Sequence, residues 1–243
     1  MRNFLYALTL LTVICSCSSS PEDKANKLIK QDLLKSLYKP DTYKPVETKV
    51  DSAFAPLDSP EYFAMLEEIT SLGKQQSLEQ IDLESAESSM AIWGDTYSSE
   101  YGQTEYKQAK KKYDQAKSNI ERYLIKSQKL AFKLLKYIDT KKTFIGWFVE
   151  HNYRADNNAG QTLIGNQVYI IDKDFNNIIY TQTEEEFSKI LMMSKAFIEE
   201  TEGFRKNIKT YGINLDDIQA KIDSLLQNGH TMQEIQEKGY DNI

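Results

Sequence analysis

From Tyr106 to Ile138, apolar side chains recur in a nearly strict alternation of three and four, through Ala109, Tyr113, Ala116, Ile120, Tyr123, Leu130 and Leu134. Only a helix gathers such positions into one stripe, so the spacing predicts a helix from about Glu105 to Asp139 that uses this stripe as a packing seam. A second long helix precedes it. Asp58-Ser59-Pro60-Glu61 offers an oxygen-bearing cap with proline in the first turn. The helix it opens runs from about Ser59 to Ser89, carries Tyr62, Leu66, Ile69 and Leu72 on one side, and is weakened or interrupted near Gly73. Between the two lies Trp93-Gly94-Asp95-Thr96-Tyr97-Ser98-Ser99, whose glycine and hydroxyl residues mark the tip of a helical hairpin.

The flanking segments change period. Leu28, Ile29, Leu33, Leu34 and Leu37 give a helical face from about Glu22 to Tyr38, stopped by Pro40. Tyr43 to Phe54 alternates with period two through Val46, Val50 and Phe54, as in a half-buried strand, and Pro45 places its start at an edge. After the hairpin, Thr143–Tyr153, Thr162–Asp172 and Ile178–Thr181 read as three strands joined by the turn clusters Asp156–Gly160 and Lys173–Asn177, an antiparallel meander. The strand near Val46 joins its edge. Thr183-Glu184-Glu185-Glu186 is a capping box for a helix to about Tyr211, ended by Gly212, and Asn214 and Thr231 cap two shorter helices. The expected architecture is α+β: an N-terminal helix on a small antiparallel sheet, with an inserted hairpin at about 58–140 and a helical extension at about 183–243.

The N-terminus reads as a targeting segment. Arg2 supplies a positive n-region, and Phe4 to Ile14 form an apolar run too short to span a bilayer. Ile14-Cys15-Ser16-Cys17 places an aliphatic residue three before Cys17 and a small one just before it, the pattern of a lipoprotein site. Ile14 is too bulky to stand immediately before a cut at Cys15. Cleavage is therefore expected between Ser16 and Cys17, giving a signal peptide at 1–16, acylation on Cys17, a tether at 17–22 and one domain at 23–243. These are the two cysteines of the chain, so the mature protein would hold no thiol for a disulfide, a nucleophile or a metal. Its stability must come from a core.

A hydrophobic content of 40% suits a globular protein, and the net charge of -6 gives no electrostatic footprint for nucleic acid. Fifteen tyrosines suggest either a wet contact surface or the filling of strand and seam positions, and the second explanation is the simpler one.

Few residues carry candidate chemistry. His151-Asn152-Tyr153-Arg154 sets an imidazole near a guanidinium, which could serve acid-base work or bind an anion, so His151, Tyr153 and Arg154 are the candidate binding residues. No nucleophile is fixed by spacing to either group, so the plainer reading is preferred: Arg154 pairs with a carboxylate in the fold and His151 satisfies a hydrogen bond at the sheet face. Asp172-Lys173-Asp174-Phe175-Asn176-Asn177 starts like a calcium loop, but Asn177 stands where glycine is needed and Thr183 where a closing glutamate is needed, so a hairpin turn is the better reading. Lys110, Lys111 and Lys112 read as a solvated face, and His230 receives no role. No catalytic residue, metal site or cofactor motif is assigned.

Two segments carry a resemblance, Lys39-Pro40-Asp41-Thr42-Tyr43 and His151-Asn152-Tyr153-Arg154-Ala155-Asp156-Asn157-Asn158-Ala159-Gly160. They resemble a family of Bacteroidetes lipoproteins in which an N-terminal helix leads to Asp-Pro-x-Ser-Tyr and a later strand reads His-x-Tyr-Arg-Ala-Lys-Asn-x-x-Gly. Lys39 stands where the family has an acid and Asp156 where it has a base, which would exchange a charge contact between the two places. With its neighbouring elements the likeness spans about a third of the chain, leaving out the helical pair and the C-terminal helices. It implies a compartment and a core fold, and no activity.

The expectation is thus a lipid-anchored envelope protein, periplasmic or surface-exposed and most naturally on the outer membrane. It would act as a non-catalytic binding or structural module with a protein or glycan partner and no nucleic acid. The alternatives are an envelope hydrolase using His151 and Arg154, and a hairpin that pairs with a second copy.

Overall fold

The computed structural model describes residues 20–94 and 99–238. The targeting segment with Cys17, and the middle of the hairpin tip, lie outside the described residues. The elements are α1 (Pro21–Ser36), a 3₁₀ turn at Pro40–Thr42, β1 (Lys44–Ala55), α2 (Pro60–Trp93), α3 (Glu100–Ile138), β2 (Thr143–Asp156), β3 (Thr162–Asp172), β4 (Ile178–Thr183), α4 (Glu184–Tyr211), α5 (Leu215–Gln227) and α6 (Met232–Lys238). The fold is α+β. The four strands form an antiparallel sheet in the order β1-β2-β3-β4, so β1 pairs with the meander at its edge.

Alternation along the strands divides the sheet into two apolar faces. On one, Val149, Tyr153 and Ala155 of β2 and Tyr169 and Ile171 of β3 pack against Ala25, Ile29 and Leu33 of α1. On the other, Val168 and Ile170 meet Tyr62, Phe63, Met65 and Leu66 of α2, Leu134 of α3, and Phe187 and Ile190 of α4. The bases of the two long helices and the start of α4 thus belong to the central core. A third cluster joins Phe132 and Leu135 of α3 to Ile222, Met232 and Ile235 of the last two helices.

Local chemistry explains the boundaries. Ser20 and Asp23 form a reciprocal capping box at α1, Ser59 accepts the Tyr62 N–H at α2, and Thr183 and Glu186 form the expected box at α4. Gly212 ends α4 in the left-handed conformation, with φ 64°.

Three expectations are corrected. α2 runs unbroken through Gly73 to Trp93. A single helical glycine costs about 1 kcal/mol relative to alanine, which continuous packing against α3 offsets. α3 begins at Glu100 rather than Glu105, because the Ser99 hydroxyl accepts the Gly102 N–H and starts the helix a turn early. In β1, a register shift between Pro45 and Glu47 leaves Val46 exposed, and another between Ala53 and Phe54 buries Ala53. A perfect period-two reading does not survive these shifts. No helix among the described residues is long and apolar enough to cross a membrane.

Candidate functional site

Register brings Thr48 of β1 directly opposite His151 of β2, on the face covered by α1. The Thr48 hydroxyl donates to Asn26 Oδ1 of α1 at 2.5 Å, and its oxygen lies 2.8 Å from His151 Nδ1. A hydroxyl has one proton to give, so Nδ1 carries the imidazole hydrogen and donates it to Thr48. His151 Nε2 then accepts from the Tyr43 hydroxyl at 3.0 Å. The result is a one-directional chain from Tyr43 through His151 and Thr48 to Asn26.

The imidazole is fully buried. Its ring lies 5.8 Å from that of Tyr153 at 17°, and 6.2 Å from that of Tyr43 at 29°. Burial pushes the His151 pKa down to about 4, because the charged ring would lack hydration. Burial, with Tyr153 close by, pushes Tyr43 up to about 12. The site therefore holds neutral groups near pH 7. Both nitrogens are engaged, so the ring cannot serve as a base toward a solvent-borne substrate without breaking this chain.

Arg154 stands elsewhere. His151 and Tyr153 share the α1 face, whereas Arg154, an odd number of residues from each, projects from the opposite face. There it is exposed and lies across from Lys44. The structure thus brings His151 and Tyr153 together and separates both from Arg154. Like charges opposite one another are unfavourable, and among the described residues neither Lys44 nor Arg154 pairs with a carboxylate.

Tyr153 borders open space. β4 pairs with β3 only as far as Gln167, so Thr162–Asn166 continue as an unpaired edge, with Leu163 and Ile164 exposed. A groove of about 560 Å³ lies here, lined by Tyr153, Ile164, Gly165, Gln167, Glu184 and Ser188, among others. Gly165 makes room for the Tyr153 ring, which a Cβ at this position would approach to 2.3 Å.

The segments Lys39–Tyr43 and His151–Gly160 meet in space. The Thr42 hydroxyl donates to the Lys39 carbonyl at 2.7 Å and accepts the Asp156 N–H at 2.8 Å, next to the Tyr43–His151 contact. Lys39 and Asp156 form no ion pair among the described residues. Asp156 Oδ1 instead accepts from the Thr162 hydroxyl at 2.7 Å.

Asp172 builds a turn. Its carboxylate accepts the Asn176 N–H and the Asn177 amide, each at 2.7 Å, and Phe175 takes φ 57°. Burial alone would raise the Asp172 pKa, but these bonds hold it below the ordinary carboxylate value. Among the described residues no three His, Cys, Asp or Glu side chains converge as metal ligands would.

Sequence reasoning missed Tyr43, Thr48 and Asn26 as partners of His151. Thr48 was accessible to it, since it shares the period-two phase of Val50. No family model, curated protein or solved structure matches this chain, so its fold and site stand on their own geometry.

Proposed function

We propose that this protein is a lipid-anchored lipoprotein of the cell envelope, tethered through Cys17, whose folded body is a non-catalytic binding module. The anchor rests on Arg2, the apolar run Phe4–Ile14 and the sequence Ile14-Cys15-Ser16-Cys17. The Bacteroidetes lipoprotein resemblance agrees with this, and the outer membrane is the natural location.

The observation that carries the non-catalytic reading is the engagement of both His151 nitrogens within a buried chain. That chain fastens to the sheet the helix that begins four residues after Cys17. Its role is to transmit the tether's constraint into the sheet. The binding surface is the free end of the sheet, where the groove beside Tyr153 meets exposed Leu163 and Ile164, and where Arg154 and Lys44 stand in register with Ile164 on the same face without a carboxylate partner among the described residues.

Two measurements test the reading. Labelled palmitate should enter the wild type but not Cys17→Ser, which should also leave the membrane fraction; labelling that persists in the variant removes the anchor. The soluble chain from Ser18 onward should bind envelope proteins or polysaccharides saturably, with Ile164→Ser and Arg154→Glu weakening it. Substrate turnover by the wild type that His151→Ala abolishes would replace this reading with an enzymatic one.

A further inference from the structure

Beyond Leu72 the long hairpin leaves the core. Ala86 is the only α2 side chain buried in that stretch, facing a seam of small α3 residues, Gly102, Ala109 and Ala116. The two helices are oppositely charged. α2 holds seven carboxylates against one lysine, and α3 holds ten cations against four carboxylates.

Glu79 and Asp82 of α2 share a groove with Lys112 of α3, but few of these charges close into ion pairs within the chain. Among the described residues the one ion pair between the helices is Lys133 to Glu61, 3.2 Å apart at the base. Further out, among the described residues, Lys107, Lys111, Lys112 and Lys117 form no ion pair with a carboxylate, and Asp82, Glu84 and Glu87 form none with a cation. α2 also carries a second stripe, offset from the Ala86 side that faces α3. Leu78, Ile81, Ser85, Ser88 and Ile92 follow steps of three and four, and their large members are 56%, 62% and 72% exposed. A repeat of this kind is a packing seam without its partner.

We infer that the hairpin pairs with the hairpin of a second copy of this chain, α2 of each lying against α3 of the other in a two-fold four-helix bundle. Charge complementarity selects this occupant. A polyanion or an anionic bilayer would suit α3 and be repelled by α2, whereas a second copy satisfies both helices with the same contact made twice. Acidic and basic helices then alternate around the bundle. The lysine stems of α3 cover Leu78, Ile81 and Ile92, and their ammonium groups reach Asp82, Glu84 and Glu87. The pairing is independent of the anchor and of the sheet surface proposed above.

The test is sedimentation equilibrium on the chain from Ser18 onward, which contains every described residue. The wild type should be a dimer whose dissociation constant rises as salt goes from about 50 mM to about 500 mM, where screening shortens the reach of the charges. Ile81→Ser touches an exposed side chain and leaves the fold unchanged by circular dichroism, yet should weaken the dimer about tenfold. Asp82→Lys/Glu84→Lys/Glu87→Lys and Lys107→Glu/Lys111→Glu/Lys112→Glu should each be monomeric alone and form a heterodimer when mixed. A wild type that stays monomeric at every concentration overturns the inference. So does a dimer indifferent to Ile81→Ser and to both charge reversals, or a monomer that binds phosphatidylglycerol vesicles through the three lysines.

Discussion

The Tyr43 hydroxyl lies 3.0 Å from His151 Nε2, joining the turn after α1 to a strand more than a hundred residues later. Because Thr48 gives its proton to Asn26, this contact has a fixed direction. A neutral imidazole is then the species that fits, with Tyr43 donating to it.

Stability should therefore fall with acidity before the carboxylates titrate. An unfolded histidine binds its proton near pH 6.5, while folded His151 does so only near pH 4. Between these values the unfolded state holds more protons, so stability is full above pH 6.5 and declines as pH drops toward 4. The loss from pH 7 to pH 5 should be about 2 kcal/mol in urea unfolding. His151→Gln should be less stable at pH 7 but nearly flat across this window, and a variant that keeps the slope would assign it to other groups.

Thr48→Val should be more damaging than Tyr43→Phe. The first strands two partners, the buried His151 N–H and the half-buried Asn26 carbonyl, and should cost about 2–3 kcal/mol, while the second strands only Nε2 and should cost about 1 kcal/mol. Thr48→Ser keeps the hydroxyl and should stay within about 1 kcal/mol of the wild type in the same unfolding assay. Equal losses for valine and serine would point to the methyl group instead of the hydrogen bonds.

Asp139 ties the end of α3 to α4, accepting from Arg205 at 3.0 Å and from Lys209 at 3.1 Å. Burial raises its pKa, but Arg205 and Lys209 together pull it below the ordinary carboxylate value. The depressed value means that this contribution is present above the unfolded carboxylate pKa and disappears as pH falls through the folded one. Since the groups are partly exposed, Asp139→Ala should cost only about 0.5–1 kcal/mol, and less in high salt. Thermal unfolding at two ionic strengths would show it.

The sequence was most legible where one rule acted alone. The seam of Ala109, Tyr113 and Ala116, the capping box at Thr183 and the meander turns emerged because periodicity and cap chemistry are local. Val46 was misplaced and the burial of Ala53 missed because a shift in strand register is decided by pairing partners, which a single strand does not display. The His151 site was half visible. Its residue was found, but Arg154 was grouped with it by nearness in sequence, although a strand sends residues three apart to opposite faces. Asn26 looked like one more polar position on α1, since its partner is supplied by tertiary packing. The opposed charges of α2 and α3 were open to simple counting, and reading only the run Lys110–Lys112 concealed them.

Two glycines should respond to alanine with opposite signs. Gly146 has φ 150°, and a Cβ there would fall 2.0 Å from the Ile171 carbonyl oxygen of β3. That neighbour is backbone within a paired strand, so it cannot yield without parting the β2–β3 ladder. Gly146→Ala should cost about 3 kcal/mol or more, beyond the usual range for overpacking. Gly73 lies mid-helix with nothing within 4 Å of its would-be Cβ. Gly73→Ala should therefore stabilise by about 0.5–1 kcal/mol, because alanine loses less backbone freedom on folding and fits the helical geometry. Urea unfolding of the two variants side by side decides the point. If Gly73→Ala were destabilising, α2 would not be the continuous, open-sided helix described above.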